Sequence, residues 1–218
     1  MITLNKYNRI AIIGAGDLGQ QIAHIATQSG YNIIGFFDDY SNQQSIIHSS
    51  YKLPLLGKVC DIFQMRDKFD SVVIGIGYKH FSVRASLYAT MKKYHIPLAT
   101  IIHHTAYVDG TASIGEGTVI QARVVIDKDC KIGNNVFINI SSTIAHDTYI
   151  GDHSFLAPCV AIAGATRIGC CSFVGINATV INRLQLTDNI TIGAGAVVVE
   201  NLKDPGTYVG VPAHKIKY

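Results

Sequence analysis

The sequence predicts two different folds in tandem: an α/β Rossmann-like domain over residues 1–101, and a parallel β-helix of hexapeptide repeats over residues 102–218. Two observations support this division. Before about residue 100, short apolar runs alternate with segments of helical spacing. From Ile102 onward, one aliphatic residue recurs every six positions, a period that belongs to neither a helix nor an ordinary strand.

The N-terminal part shows strand and helix signals in alternation. "RIAIIG" (9–14) is a buried-strand pattern, and "AGDLGQQIAHIATQSG" has helical spacing with a glycine at its end. "YNIIGFFDD" and "DSVVIGIG" predict two more strands, and "HFSVRASLYATMKKYH" predicts a second helix. Such alternation favours a small parallel sheet of about four strands covered by helices.

A glycine-rich loop joins the first strand to the first helix. "GAGDLG" (Gly14–Gly19) matches the pattern GxGxxG, and Asp38 and Asp39 end the next strand. Glycines allow a phosphate to approach backbone N–H groups at a helix start, and a carboxylate can accept from a ribose hydroxyl. A domain of about 100 residues is too small for two mononucleotide halves, so one nucleoside diphosphate fits better than NAD.

The C-terminal part repeats without insertion. Seventeen consecutive positions spaced by six are all Ile, Val or Leu: 102, 108, 114, 120, 126, 132, 138, 144, 150, 156, 162, 168, 174, 180, 186, 192 and 198. The strongest "Ile-Gly" pairs recur at a spacing of 18, which predicts three hexads per coil and a triangular prism. With coils about 4.8 Å apart, five to six coils give a prism roughly 25–29 Å long. Prisms of this hexapeptide type wind left-handed.

The hexad "IAHDTY" places two reactive side chains at an outward corner of this prism. Residues 18 apart stack, so His146 is expected between Lys128 and Gly164, which has no side chain to obstruct a ligand. Histidine suits general base catalysis because its pKa lies near neutrality, and a neighbouring carboxylate such as Asp147 can hold its tautomer. The alternative is a solvated polar corner.

Along nearly its whole length the chain resembles the bacterial sugar acyltransferases of the NeuD/PglD type. The resemblance rests on the motifs "AIIGAGDLG", "GFFDD", "PLLG", "GIGYKHFSVR", "IAHDTYIGD", "AIAG", "FVGINATV", "IGAGAVV" and "VGVPAHKI". It implies a homotrimer with active sites between adjacent β-helices, acetyl-CoA as donor, and a UDP- or dTDP-linked sugar as acceptor. The first loop departs from the family, since it reads Gly16-Asp17-Leu18 where many relatives have Gly-Gly-His.

The resemblance also implies roles for single residues. His146 matches the general base, Asp147 the carboxylate that raises its basicity, and Gly164 the backbone amide that binds the thioester oxygen. Positions along the CoA arm match Phe155, Gly164, Ile176 and Ala194. The nucleotide side matches Gly14, Gly16, Asp17, Asp38, Asp39, Gly57 and Arg84.

The resulting hypothesis is an acetyl-CoA-dependent N-acetyltransferase that modifies an amino group, at C4, of a nucleotide-linked amino-dideoxy sugar. The alternatives are O-acetylation of a sugar hydroxyl, and a non-catalytic module that binds a nucleotide sugar for a partner enzyme. A zinc site of the β-helical carbonic anhydrase type is disfavoured, because His146 and His153 are seven residues apart and not five.

Composition narrows the setting. The formal charge of +3 is small and scattered, which argues against a nucleic-acid partner. No apolar run reaches the length of a membrane span, and "MITLNKYNRIAIIGAG" has no signal-peptide pattern. Five cysteines without a CxxC pair favour free thiols in a reducing compartment. We therefore expect a cytoplasmic protein with no membrane association.

Overall fold

The computed structural model describes residues 9–41, 45–48 and 51–216. Residues 1–8, part of the segment that lacks a signal-peptide pattern, lie outside the described residues. The chain forms two compact units, Met1–Ile102 and His103–Tyr218, which divide one residue beyond the boundary expected from the sequence. Neither helix in the described part is long and apolar enough to cross a membrane.

The first unit is an α/β domain. Its strands are β1 (Ile10–Ile13), β2 (Ile33–Phe37), β3 (Ser45–His48), β4 (Tyr51–Gly57), β5 (Ser71–Ile74) and β6 (Ile101–Ile102); its α-helices are α1 (Asp17–Gln28) and α2 (Phe81–Lys93); 3-10 turns lie at Val59–Phe63 and Tyr78–His80. The apolar runs become strands because their side chains are buried: all four residues of β1 and of β5 are inaccessible to solvent.

The sheet of this unit has the order β3-β4-β2-β1-β5. Strands β4, β2, β1 and β5 run parallel, as the alternating pattern predicts. The expectation of about four parallel strands misses the edge, where β3 and β4 form an antiparallel hairpin. Single-sequence patterns gave no signal for this hairpin, because its edge strand is not a continuous apolar run and Pro54 interrupts β4.

The second unit is a parallel β-helix. Its strands are β7 (Tyr107–Val108), β8 (Ser113–Ile114), β9 (Val119–Ile120), β10 (Val125–Ile126), β11 (Lys131–Ile132), β12 (Phe137–Ile138), β13 (Thr143–Ile144), β14 (Tyr149–Ile150), β15 (Phe155–Leu156), β16 (Ala161–Ile162), β17 (Arg167–Ile168), β18 (Phe173–Val174), β19 (Thr179–Val180), β20 (Gln185–Leu186), β21 (Ile190–Ile192), β22 (Val197–Val198), β23 (Gly206–Val209) and β24 (His214–Lys215). The predicted fold class, an α/β domain followed by a left-handed parallel β-helix, is confirmed.

Three flat faces enclose the core of the prism. The first face runs from β7 through β10, β13, β16 and β19 to β22, and the second from β8 through β11, β14 and β17 to β20. The third face contains β9, β12, β15, β18, β21, β23 and β24. Each strand pairs with the strand 18 residues later, for example Ile126 with Ile144 and Ile144 with Ile162. The spacing of 18 in the sequence is therefore the coil length of the prism.

The aliphatic ladder forms the core. From Ile120 to Val198, every sixth residue is buried. Val108 and Ile114 are only half-buried, since their strands β7 and β8 end their faces and have a coil on one side only. Buried hydroxyls between the aliphatic residues are hydrogen-bonded, as when Ser154 Oγ donates to the Gly169 carbonyl at 2.9 Å.

Three corners separate the faces, and each is named here by one residue. The His146 corner contains residues 110–111, 128–129, 146–147, 164–165 and 182–183. The Asp152 corner contains 116–117, 134–135, 152–153, 170–171 and 188–189. The Ile176 corner contains 122–123, 140–141, 158–159, 176–177 and 194–195.

Candidate active site

All corners use the same backbone turn. Every sixth residue from Gly117 to Gly195 has a left-handed conformation, with φ between 51° and 71°. Asp147 is one of these residues, with φ 59°. Aspartate tolerates this conformation better than most residues, because its short side chain hydrogen-bonds locally. The turn therefore directs the side chains of His146 and Asp147 outward, away from the aliphatic core.

The two side chains of this turn contact each other directly. His146 Nδ1 lies 2.7 Å from Asp147 Oδ2, and each side chain is 51% exposed in the single chain. The hydrogen bond from His146 lowers the pKa of the Asp147 carboxyl, and the positive charge of Lys128 acts in the same direction. An ionised carboxylate only accepts, so Nδ1 carries the proton of the neutral ring and Nε2 keeps its lone pair. Nε2 is therefore the atom available as a base.

The next coil supplies Gly164, which the structure places against the imidazole. A Cβ built on Gly164 would lie 2.6 Å from both Cε1 and Nε2 of His146, too close for any side chain. Backbone hydrogen bonds fix this stacking, since Ala165 N–H donates to the His146 carbonyl at 2.8 Å. Among the described residues, no acceptor takes a hydrogen bond from the Gly164 N–H. A basic nitrogen and an unengaged amide donor thus lie side by side.

The structure does not gather the four residues expected along the CoA arm within one chain. Gly164 lies at the His146 corner, whereas Ile176 and Ala194 lie at the Ile176 corner, on the other side of the first face. Phe155 lies on the third face, where it is 6% exposed and stacks on Phe137 with a centroid distance of 4.8 Å. Their contact with CoA stays a prediction.

The first unit brings its expected nucleotide-binding residues to the carboxyl edge of the sheet. Gly14 and Gly16 follow β1, and Asp17 is the first residue of α1. Gly14 needs the absence of a side chain, because it has φ +103° and a Cβ there would lie 2.8 Å from Ile76 Cδ1. Nothing lies within 4 Å of a Cβ built on Gly16, so this point of the loop is open to a ligand.

Asp38 serves the loop itself. Its Oδ2 accepts from Ala15 N–H at 2.7 Å, and its Oδ1 accepts from Tyr40 and Ser41 N–H. Burial raises the pKa of the Asp38 carboxyl, but these three backbone hydrogen bonds outweigh it and the pKa is lowered overall. Asp38 therefore stays ionised and fixes the shape of the glycine loop. A ribose contact for Asp38, expected from the sequence, stays a prediction.

The remaining residues of this set lie at the ends of the neighbouring strands. Asp39 Oδ1 accepts from Val59 N–H at 2.9 Å, and Gly57 ends β4, where its carbonyl accepts from Asp38 N–H at 3.0 Å. Arg84 is 1% exposed, and its Nη1 donates to the Ile76 carbonyl at 2.6 Å, just beyond β5. The sequence-predicted nucleotide residues thus share one edge of one sheet.

The histidines considered for zinc lie apart. His153 belongs to the Asp152 corner, where its Nδ1 lies 3.0 Å from Asn135 Nδ2, while His146 belongs to its own corner. In the described part of the chain, no three His, Cys, Asp or Glu side chains are grouped as metal ligands.

One cavity was not predicted from the sequence. It lies on the second face, has a volume of about 410 Å³, and is lined by Tyr149, Arg167, Ile168, Gly169, Gln185, Leu186, Thr187, Asp188, Leu202 and Lys203. A signal existed, because Tyr149, Arg167, Gln185 and Lys203 are spaced by 18 and the first three precede inward aliphatic residues. Attention to the outward positions of the repeat would have found it.

Comparisons with known proteins agree with this architecture. Residues 9–91 match the profile of the PglD N-terminal domain, and residues 129–164 match that of the bacterial transferase hexapeptide (six repeats). A search of curated protein sequences gave no match.

Solved structures resemble the whole chain. The acetyltransferase domain of PglB from Neisseria gonorrhoeae FA1090 is 27% identical, with a TM-score of 0.87 and coverage of 96% of this chain and 100% of that one. The same domain solved with acetyl coenzyme A gives 26%, 0.88, 96% and 99%. A histidine-to-alanine variant of GDP-perosamine N-acetyl transferase from Caulobacter crescentus, with CoA and GDP-perosamine, gives 26%, 0.89, 96% and 97%.

Fold and matches together define an acyltransferase of the hexapeptide-repeat class. The PglD N-terminal domain adds the second step, because it confirms the predicted resemblance to the sugar acyltransferases of the NeuD/PglD type.

Proposed function

We propose that this protein transfers the acetyl group of acetyl-CoA to the amino group, at C4, of a nucleotide-linked amino-dideoxy sugar. The observation that supports the chemistry is the juxtaposition at the His146 corner. There the imidazole, held by Asp147 at 2.7 Å, lies against the backbone of Gly164, whose N–H has no acceptor among the described residues. These are the two groups that attack of an amine on a thioester requires.

The proposed reaction is a direct transfer. The neutral amine attacks the thioester carbonyl carbon, and the Gly164 N–H donates to the carbonyl oxygen as it becomes an oxyanion. Nε2 of His146 removes the proton from the attacking nitrogen, and Asp147 stabilises the imidazolium that forms. The C–S bond then breaks, and the CoA thiolate leaves and takes up the proton from His146. No covalent enzyme intermediate is needed.

We further propose that the active site is shared between chains of a homotrimer. The residues expected along the CoA arm lie at two different corners of the prism and on its third face, so one chain cannot present them all to one thioester. A second chain whose Ile176 corner lies beside the His146 corner of the first would bring both sets to one groove.

Exposed apolar side chains support this assembly. Val125 and Ile181 on the first face are 38% and 37% exposed, and Ile140 and Ile176 at the adjoining corner are 37% and 50% exposed. A continuous apolar surface of this kind marks a protein interface. Multi-angle light scattering should give three times the 23.6 kDa chain mass. A monomeric, active protein would overturn the shared site.

The first unit is proposed to hold the nucleotide of the acceptor. Its open Gly16, the start of α1 and the buried Arg84 lie along one edge of the sheet, where open α/β sheets bind ligands. The sequence resemblance favours UDP or dTDP, whereas the Caulobacter neighbour was solved with GDP-perosamine, so the nucleobase must be tested directly. Cytoplasmic location stays a prediction.

The decisive experiment measures thiol release from acetyl-CoA with a panel of acceptors. The panel contains UDP-, dTDP- and GDP-linked 4-amino sugars, their 4-hydroxy counterparts, and no acceptor as the control. We expect release only with an amino sugar, and a product heavier by one acetyl group. Release with hydroxy sugars alone would establish O-acetylation, and nucleotide-sugar binding without any release would establish a non-catalytic module.

A further inference from the structure

We infer that the cavity on the second face holds the phosphate-bearing nucleotide end of the acyl-CoA donor, with Arg167 and Lys203 as its anion-binding residues. This inference rests on the proposed function, because it assigns a second contact to the same co-substrate.

The charges of the cavity favour an anion. Arg167 and Lys203 contribute two positive charges, and Asp188 contributes one negative charge. No carboxylate of the described residues lies within ion-pair distance of Arg167 or Lys203. Asp188 is already engaged, since its Oδ1 accepts from Cys170 N–H at 2.7 Å. The cavity therefore offers unneutralised cations to a ligand, and guanidinium groups bind phosphate through paired hydrogen bonds.

Arg167 is held in place without being neutralised. Its guanidinium carbon lies 4.7 Å from the centroid of the Tyr149 ring, a cation–π contact that orders the side chain and leaves its N–H donors available. Lys203 follows Leu202, which is fixed because Thr187 N–H donates to its carbonyl at 2.9 Å. Both cations thus line a wall that is formed before a ligand arrives.

The position of the cavity points to the acyl donor. Arg167 follows Gly164 by three residues in the same coil, and Tyr149 follows His146 by three residues in the coil before, so each lies within about 10 Å of the reacting corner along the chain. Gln185 and Lys203 continue the wall toward later coils, the direction in which Gly164 itself follows His146. A donor with its thioester at Gly164 can lay its long pantetheine arm along this corner and place its phosphates in the cavity.

The other phosphate source in the reaction is the acceptor nucleotide. The glycine loop that predicts its binding belongs to the first unit, whereas all residues of the cavity belong to the second. The experiment therefore separates the two sources.

Binding is measured by calorimetry for CoA, dephospho-CoA, pantetheine and the nucleotide sugar, with wild type, Arg167→Gln and Lys203→Gln. We expect each variant to bind CoA about 10-fold or more weakly, as the loss of a charge-assisted hydrogen bond predicts, and to bind pantetheine as wild type does. Lys131→Gln is the matched control, because Lys131 is exposed, belongs to the same face and pairs with Tyr149 from the opposite side, outside the cavity. That variant should keep wild-type affinity for CoA.

Unchanged CoA affinity in both variants overturns the inference, and so does a loss confined to the nucleotide sugar. Either result leaves the proposed function standing if wild type still releases thiol in the acceptor panel. Failure of wild type to release thiol with any acceptor, although CoA binds, contradicts the proposed function separately.

Discussion

The His146 corner and the Asp152 corner use one backbone turn for opposite purposes. At the Asp152 corner, side chains are consumed by the fold. Asp152 Oδ1 accepts from Asn134 N–H at 2.7 Å, Asp188 Oδ1 accepts from Cys170 N–H at 2.7 Å, and Asn134 Oδ1 accepts from Glu116 N–H at 3.1 Å. Each coil thus binds the N–H of the coil before it, and the corner becomes a ladder.

At the His146 corner the same backbone position is left unengaged. Its third hexad residues are Gly110, Lys128, His146, Gly164 and Asn182. The side chain of His146 turns to Asp147 instead of a backbone N–H, and the N–H of Gly164 has no acceptor among the described residues. The difference shows that a rigid repeat gains reactivity where its lateral hydrogen bonds are omitted, and the predictions below test that contrast.

Replacement of the base should have the largest effect. We expect His146→Ala to lower turnover in the thiol-release assay by about 10²–10⁴-fold, the usual contribution of a positioned general base. The melting temperature should stay unchanged, because the side chain is half-exposed and contacts no core residue. His153→Ala at the Asp152 corner is the control, and near wild-type turnover in His146→Ala would remove histidine from the mechanism.

Filling the space beside the base should come second. In Gly164→Ala the new Cβ would meet the imidazole at 2.6 Å and displace it, so we expect turnover to fall about 10- to 100-fold. Gly110→Ala is the matched control at the same hexad position of the same corner, where a Cβ has nothing within 4 Å. Equal turnover in the two variants would show that the His146–Gly164 contact is irrelevant.

Neutralising the carboxylate should have a smaller effect. Asp147→Asn removes the acceptor that fixes the imidazole tautomer, and we expect a decrease in turnover of about 10-fold or more, but less than that of His146→Ala. Asp129→Asn, one coil earlier at the same turn position with φ 58°, should leave turnover unchanged. If both variants behave alike, the effect is one of surface charge and not of the hydrogen bond.

The structural corner should respond in stability and not in turnover. Asp152→Ala leaves the Asn134 N–H without its acceptor, and we expect the free energy of unfolding to fall by about 1–3 kcal/mol. Turnover at saturating substrate, measured well below the melting temperature, should match wild type. A stable but inactive Asp152→Ala variant would place this corner in the active site.

The pH dependence of stability should show the smallest effect. Because the pKa of Asp147 is lowered in the folded protein, its contribution is present above the ordinary value of 3.8 and is lost as the pH falls through the lowered value. The difference in melting temperature between wild type and Asp147→Asn should therefore exist at neutral pH and disappear in acid. A difference that grows in acid would contradict the direction of the shift.

Much of the fold follows from the sequence because the repeat has no insertions. The pairing of Ile126 with Ile144, and the stacking of His146 against Gly164, are both consequences of the number 18. The hairpin of β3 and β4 was not predicted, since its pairing depends on the neighbouring strand β2 and not on a local pattern.

The roles of single residues depended on tertiary contacts. Asp38 was expected to face a ribose, but three backbone N–H groups already converge on it, and no sequence pattern reports such contacts. Arg167 was overlooked because an exposed arginine on a strand is ordinary, and only the cavity around it distinguishes it from Lys131.

The sequence by itself determined the α/β domain, the triangular prism, its coil length and the identity of the residues at each corner. A period of six with an unbroken aliphatic ladder has one way to bury its apolar side chains, so local pattern and global fold coincide. Only the tertiary structure decided that Asp147 turns back to His146, that the Gly164 N–H has no acceptor in the described chain, and that Arg167 lines a cavity. Those facts depend on rotamers and on atoms from different coils, which spacing does not specify.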